Sequence, residues 1–273
     1  MFKADRSNST IGSTFSLLEL IYHATVRHLR KSHGNALLGL LMNMFQTVLL
    51  VITFYIMFGV LGLRGNAIRG DFLLYVMSGI FLFMTHTKAM GAVFGAEGPT
   101  SAMMKHAPMT TAISISSAAL GSLYIQLLSM FVVLFIYHVA FHPIEIYNWV
   151  GAMGMVLLSW FTGSAIGLVL LAAKPWAPDV VSIVHQVYSR ANMIASGKMF
   201  LANNLPHKML VLFDWNPLFH TIDQARGYVF INYNPHFSNW EYPLYLGLAL
   251  VMIGLMGEFY TRQYASLSWG AKR

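Results

Sequence analysis

The sequence contains no cysteine, which excludes both a disulfide framework and a thiolate metal site. Charged residues are also scarce, at 10% of 273 positions, whereas soluble globular domains carry about 25%. Apolar residues make up 56% of the chain, which is more than a soluble protein could cover with polar groups. The composition therefore predicts an integral membrane protein.

Several motifs of catalysis and energy coupling are missing as well. There is no GxxxxGK[ST] phosphate loop, so we expect no cofactor in this chain, and ATP and Mg²⁺ would bind to a separate subunit. No metal-binding histidine pair lies on an apolar stretch, and no carboxylate lies at the centre of one, as a proton-coupled transporter would require. Met1 to Ser16 is polar and lacks a signal-peptide pattern.

Six apolar stretches are present, and each is long enough to cross a bilayer. We therefore predict an all-α membrane protein with six transmembrane helices. The fifth stretch is the weakest, because it contains His185, Gln186 and Arg190. The predicted spans are Ala36 to Leu61, Phe72 to Phe94, Thr111 to Ala140, Trp149 to Ala173, Val180 to Leu201 and Tyr242 to Tyr260.

The positive charges predict the orientation. Six spans place both termini on one side, and eleven of the 17 Lys and Arg residues fall on that side. Five fall on the opposite side, and Arg190 lies within the fifth span. Because positive residues favour the cytoplasm, we expect both termini to be cytoplasmic in a bacterial inner membrane. The net charge of +7 then indicates contact with anionic lipids rather than nucleic acid.

A basic amphipathic helix is predicted before the first span, over Ser16 to His33. Leu17, Leu18 and Leu20 share one side of this helix, whereas Arg27 and Arg30 lie on the other. Such a helix is typical of a segment that lies in the headgroup plane. We therefore divide the chain into an N-terminal region, residues 1–34, and a six-helix permease domain, residues 35–273.

The polar segment between the second and third spans predicts a short stiff helix. Pro99 suits the first turn of a helix, and Pro108 prevents its continuation. By the charge count this segment is cytoplasmic, where a motor protein could push it; a plain connecting loop is the alternative. The predicted ATPase-coupling residues are Glu97, Ser101, Met103, Met104, Lys105 and His106.

Two spans carry polar stripes that could line a path for substrate. In the fifth span, Gln186 and Arg190 share one face, which suits a cavity, a second subunit or a displaced span whose arginine reaches a headgroup. In the first span, polar groups and aromatic rings share a face, which suits a sugar chain or ordinary helix packing. The predicted canal-lining residues are Asn43, Gln46, Thr47, Phe54, Phe58, Gln186 and Arg190.

The segment from Asn203 to Trp240 is too polar to cross lipid and too aromatic for a free loop. Asn216-Pro217 favours a helix start, and apolar residues at helical spacing predict a helix over Pro217 to Val229. We expect this helix to fold back into the outer membrane face beside the fifth span. There it would form a periplasmic gate with Asp223 and Arg226 at its wet end.

The order of these parts resembles the permeases of type 2 ABC exporters, especially those that export capsular polysaccharide or lipid-linked O-antigen. Two stretches carry the resemblance: Lys105-His106-Ala107-Pro108-Met109-Thr110-Thr111 before the third span, and Trp215-Asn216-Pro217-Leu218-Phe219 continuing to Arg226 before the last. The second is similar to the family's NPL…R signature. Only Glu97-Gly98 stands where relatives carry a longer charged run.

The resemblance implies a homodimer around a central canal, with two ATP-binding subunits beneath it and re-entrant helices at the periplasmic mouth. Capsular polysaccharide is the favoured substrate, because the sequence has neither a large extracellular domain nor a fused ATPase. The alternatives are an exporter of O-antigen or another lipid-linked glycan, a secondary transporter, or a membrane-embedded transferase. The glycan, its lipid anchor and a periplasmic adaptor as a further partner are left open by the sequence.

Overall fold

The computed structural model describes residues 18–27, 36–60, 62, 71–98 and 110–264, and within them all regular structure is helical. Residues 18–27 form α1. The eight helices that follow are α2 (Ala36–Val60), α3 (Phe72–Phe94), α4 (Thr111–Ala140), α5 (Trp149–Ala173), α6 (Pro178–Ala195), α7 (His207–Phe213), α8 (Pro217–Val229) and α9 (Glu241–Tyr264), with one 3₁₀ turn at Ala202–Asn204 before α7.

Five of these helices, α2, α3, α4, α5 and α9, are long and apolar enough to cross a membrane. Their bounds agree with five of the six predicted spans. The predicted fifth span is α6, which is 18 residues long and is not among the five. It ends at Ala195 rather than Leu201, because Gly197 turns the chain with a φ of 76°, which is favoured by glycine alone.

The centre of the bundle is α3, which is the most buried of the candidate spans. Glycines on α5 allow its backbone to approach α3 closely. A Cβ atom added to Gly163 would lie 2.3 Å from the carbonyl oxygen of His86, and one added to Gly167 would lie 2.6 Å from that of Met90. The two helices are therefore held together by backbone contact that a larger side chain would disrupt.

We name the two ends of the bundle by the helices that are connected there. At the α2–α3 end, Asp71 caps α3 by accepting a hydrogen bond from the backbone N–H of Leu73, and its other oxygen accepts one from the Tyr137 hydroxyl. At the α3–α4 end, the Thr111 hydroxyl donates to Glu258 of α9 over 2.5 Å. By the charge count, the α3–α4 end is the predicted cytoplasmic end.

The predicted N-terminal amphipathic helix is described only in part. Residues 18–27 are helical, whereas Ser16 and the residues from 28 to 33 lie outside the described residues. Leu18 and Tyr22 are exposed, and Ala24 is buried. The interfacial position of this helix therefore remains a prediction, as does the division of the chain at residue 34.

Candidate functional site

Helix α8 occupies Pro217–Val229, as the sequence predicts. Its N-cap is Asn216, whose side-chain oxygen accepts a hydrogen bond from the backbone N–H of Leu218 over 3.1 Å. The side-chain amide of Asn216 donates to Asn192 over 2.8 Å and to the backbone oxygen of Ala195 over 3.0 Å. Asn216 therefore begins α8 and also fastens it to the end of α6.

The body of α8 lies elsewhere than predicted. Instead of lying beside α6, the predicted fifth span, it packs against α5 and α3. The reason is its apolar stripe, which joins the main hydrophobic core. The stripe consists of Leu218, Ile222, Ala225 and Val229, all of them buried. Contact with α6 is made through Asn216 at the start of the helix.

Arg226 is fully buried, so its predicted position at a wet end is wrong. Its guanidinium donates hydrogen bonds to the backbone oxygens of Gly197, Lys198 and Phe200, over 2.8, 2.8 and 2.7 Å. Those carbonyls belong to an irregular turn, and buried carbonyls without partners are costly. The arginine is buried because its guanidinium supplies hydrogen-bond donors to the backbone carbonyls of the turn that connects α6 to α7.

Asp223 is also buried, at 2% exposure, and likewise lies away from a wet end. Its carboxylate accepts hydrogen bonds from the Tyr233 hydroxyl over 2.5 Å and from the Ser238 hydroxyl over 2.6 Å. Burial and the neighbouring Asp223 carboxylate both raise the pKa of Tyr233, so the tyrosine stays neutral and keeps donating. Asp223 thereby ties the segment after α8 back onto the helix.

Lys198 lies in the same turn and is 2% exposed. Its ammonium lies 3.4 Å from the ring centroid of Phe83 on α3 and 5.1 Å from that of Phe54 on α2. Its Nζ atom has no hydrogen-bond partner among the described residues. The backbone of Lys198 passes over α3 at Gly79, where an added Cβ atom would lie 3.0 Å from the lysine Cα atom. Burial lowers the pKa of this ammonium to about 7.

We call residues 196–202, together with α8, the α8 unit, because they pack into the bundle between its helices. Arg226 stacks on Tyr75 and Lys198 lies over the rings of Phe83 and Phe54, and these contacts hold the unit against α3 and α2. The sequence does not single out Lys198, because in the charge count it is one of the solvent-side cations. Its apolar neighbours Met199, Phe200 and Leu201 are the one signal that this lysine is buried.

Most of the predicted canal residues on α2 lie inside the subunit. Asn43, Thr47, Phe54 and Phe58 are buried. Asn43 donates to Ser129 of α4 over 2.9 Å, which is the packing role that the sequence left open. Gln46 is exposed and accepts a hydrogen bond from Lys88 of α3 over 2.6 Å. The structure thus brings Gln46 together with a lysine that the sequence did not assign to the canal.

Gln186 and Arg190 are both exposed on α6. The opposite side of α6 is fastened to the bundle by His185, Tyr188 and Asn192. The ring of His185 stacks on Phe94 at 4.5 Å, and the hydroxyl of Tyr188 lies 3.2 Å from Nε2 of the buried His86. A canal-lining role for Gln186 and Arg190 remains a prediction.

Of the predicted coupling residues, the structure describes Glu97, which lies at the α3–α4 end and is half-buried. Its backbone N–H donates to Ser114 of α4 over 3.0 Å. The other five, Ser101, Met103, Met104, Lys105 and His106, lie outside the described residues. The coupling role of the segment therefore remains a prediction.

Two comparisons with known proteins bear on this arrangement. The model of a family described as ABC-2 type transporter matches residues 19–230, which is most of the chain. That range contains α8, Asn216 and Arg226 as well as the segment from Glu97 to His106. A search of the curated proteins found none that matches.

Proposed function

The chain belongs to the ABC-2 type transporter family, and on that premise we propose that it exports capsular polysaccharide across the bacterial inner membrane. As a member of that family it is the multi-pass permease component of an ABC transporter. Permeases of this family associate with ATP-binding subunits and generally dimerise. Our proposal adds the substrate, pairing with a second copy of the same chain, and two ATP-binding subunits that bind ATP and Mg²⁺.

The proposed topology completes the five candidate spans with α6 as a sixth crossing. At about 1.5 Å per residue, 18 residues extend about 27 Å, slightly less than the roughly 30 Å hydrocarbon core. The turn after α6 is shielded by protein, which is the condition for irregular backbone at membrane depth. Six crossings place both termini in the cytoplasm, as the positive charges favour.

The observation that carries the substrate proposal is the packing of the α8 unit into the bundle. Arg226, Asp223 and Lys198 all anchor this segment inward, and α8 is part of the main core. We propose that this segment forms a compact mouth of the export canal rather than an outer domain. A compact mouth suits a long polymer that is passed outward, either to the surface or to a periplasmic adaptor.

An exporter of O-antigen or another lipid-linked glycan is the second candidate, because the same compact mouth would serve it. A membrane-embedded transferase is less well supported. The described residues contain no group of three or more His, Asp or Glu side chains that could hold a metal ion. The buried Asp223 is already occupied by two hydroxyl donors.

The coupling part of the proposal is tested by replacing Met103 and Met104 with aspartate. We propose that these side chains make an apolar contact with the ATP-binding subunit, where a charge would be costly. The double variant should insert into the membrane normally and lose complex formation and transport. Undiminished transport by the double variant would contradict the coupling role.

Reconstitution tests the function as a whole. The permease is purified together with the ATP-binding subunit that associates with it, and the complex is placed in liposomes. We expect ATP-dependent transport of capsular polysaccharide, and stimulation of ATP hydrolysis by that polymer. Transport of a lipid-linked O-antigen with no response to capsular polysaccharide would favour the second candidate. No transport of either glycan would contradict the proposal.

A further inference from the structure

Lys88 is a cation within α3, one of the candidate membrane spans. It lies six residues before the end of α3 at Phe94, or about 9 Å from that end. Its ammonium does not extend to a headgroup, because Nζ donates to Gln46 over 2.6 Å. Gln46 itself lies ten residues into α2, or about 15 Å from its start. The lysine is therefore held at depth by a neutral side chain.

Carboxylates are absent from the helices around this lysine. The sequences of α2 and α3 contain no Asp or Glu, and α6 has only Asp179, in its first turn. Within the part of the chain that the structure describes, neither Lys88 nor Arg190 takes part in a salt bridge. A cation without a counter-ion within a membrane span is costly and marks a functional position.

Contacts on α3 show that α2 and α6 flank the same surface. Lys88, which reaches α2, and Gly91 are three residues apart, so they lie about 60° apart around the helix. An added Cβ atom on Gly91 would lie 3.9 Å from Nε2 of His185, which belongs to α6. The helices α2 and α6 therefore meet neighbouring faces of α3 and border one groove.

The side of α6 that faces this groove carries His185. Tyr188 lies on the bundle side of the same helix, because its hydroxyl is 3.2 Å from Nε2 of His86 on α3. His185 lies about 60° farther around α6, toward Gly91, whereas Gln186 and Arg190 lie about 100° and 140° beyond His185, on the exposed side of the helix. The groove between α2 and α6 thus carries Gln46, Lys88 and His185.

We infer that this groove receives an anionic group of the exported substrate, a phosphate or a carboxylate, with Lys88 as its principal contact. The inference rests on the proposed export of a glycan, and it adds the charge of that glycan or of its lipid anchor. The amide of Gln46 orients the ammonium while leaving it able to donate further hydrogen bonds. A negatively charged group entering the groove supplies the counter-ion that the protein lacks.

The test compares three glycans of equal length in liposomes that contain the permease and its ATP-binding subunit. One is acidic through uronic acid residues and has no lipid, one is neutral and linked to a polyprenyl diphosphate, and one is neutral and free. We expect transport of the acidic glycan, the diphosphate-linked glycan or both to exceed that of the neutral free glycan. The two charged glycans distinguish a carboxylate on the polymer from a phosphate on the anchor.

Variants connect this preference to the groove. Lys88→Gln should reduce transport of the preferred glycan roughly tenfold or more, as expected for loss of a charge-assisted hydrogen bond. Lys88→Arg should retain most of it. Arg262→Gln is the control, because it removes an exposed charge from α9, away from the groove.

The outcomes separate the inference from the proposed function. If the neutral free glycan is transported as well as the charged ones and Lys88→Gln transports it normally, the inference is overturned while polysaccharide export stands. If Lys88→Gln transports the preferred glycan normally, the inference is also overturned. If the unaltered complex transports none of the three glycans, the proposed function fails and the inference fails with it.

Discussion

The guanidinium carbon of Arg226 lies 4.3 Å from the centroid of the Tyr75 ring, so a charge on α8 stacks on an aromatic face near the start of α3. Around this contact the arginine donates to three backbone oxygens of the turn after α6. One side chain therefore joins α8, α3 and the turn. The planar guanidinium suits this role because it stacks and donates from several N–H groups at once.

Arg226→Lys should destabilise the permease, although the charge is kept. A lysine ammonium cannot reach all three carbonyls in the same geometry, and each buried carbonyl that loses its partner costs about 1–3 kcal/mol. We expect a clearly lower thermal unfolding midpoint of the purified protein in detergent. Arg262→Lys, at an exposed position on α9, is the matched control and should unfold close to the unaltered protein.

Gly163→Ala should also destabilise the bundle, because the added Cβ atom would lie 2.3 Å from the carbonyl oxygen of His86. That oxygen is part of a helix backbone, so α3 and α5 would have to separate, at a cost of about 1–3 kcal/mol. The same change at Gly154, also on α5, meets nothing within 4 Å and serves as the control. Equal unfolding temperatures for the two variants would contradict the close approach of α3 and α5.

Lys198 predicts a pH dependence of stability. Burial lowers its pKa from 10.5 to about 7, so between these values the unfolded chain binds more protons at this residue than the folded chain. Stability therefore rises with pH across this window, and the cost of burying the charge is greatest below about 7. In Lys198→Met the side chain keeps its bulk and cannot ionise.

The measurement is the difference in unfolding midpoint between the unaltered protein and Lys198→Met, taken from pH 6 to about pH 10. Because only the unaltered protein loses the charge-burial cost as the pH rises, its stability should increase relative to the variant. Lys208→Met, at an exposed position on α7, is the control and should give a constant difference. A constant difference for Lys198→Met would show that the ammonium is not desolvated.

The helices could be predicted from the sequence, because long apolar runs separated by polar segments can form few other structures in a membrane. The bounds of α4 and α5 agree with the predicted spans residue for residue. The start of α8 was also predictable, because Asn216 and Pro217 combine a side-chain cap with the ring that suits the first helical turn.

The surroundings of α8 were not predictable from the same pattern. A charged residue in a sequence usually indicates a position exposed to water. The sequence contains no local sign that Arg226 instead pairs with carbonyls 26 to 29 residues earlier. Long-range partners of this kind are set by how helices pack. For the same reason the sequence left open whether Asn43 and Thr47 line a canal or serve helix packing, and the hydrogen bond from Asn43 to Ser129 on α4 was needed to see the packing.

The gating role of α8 gives the last prediction. If the α8 unit opens during export, the start of α8 must move relative to the end of α6, and the hydrogen bond between Asn216 and Asn192 is where they meet, at 2.8 Å. Cysteines at both positions can be joined by an oxidant, and the chain has no other cysteine to interfere. We expect the disulfide in Asn192→Cys/Asn216→Cys to stop ATP-dependent glycan export, and a reductant to restore it. The two single-cysteine variants, given the same oxidant, should export at their own untreated rate. Efficient cross-linking with export continuing at the normal rate would mean that α8 is a static part of the mouth, because a fixed contact between α6 and α8 would then be compatible with every step of transport.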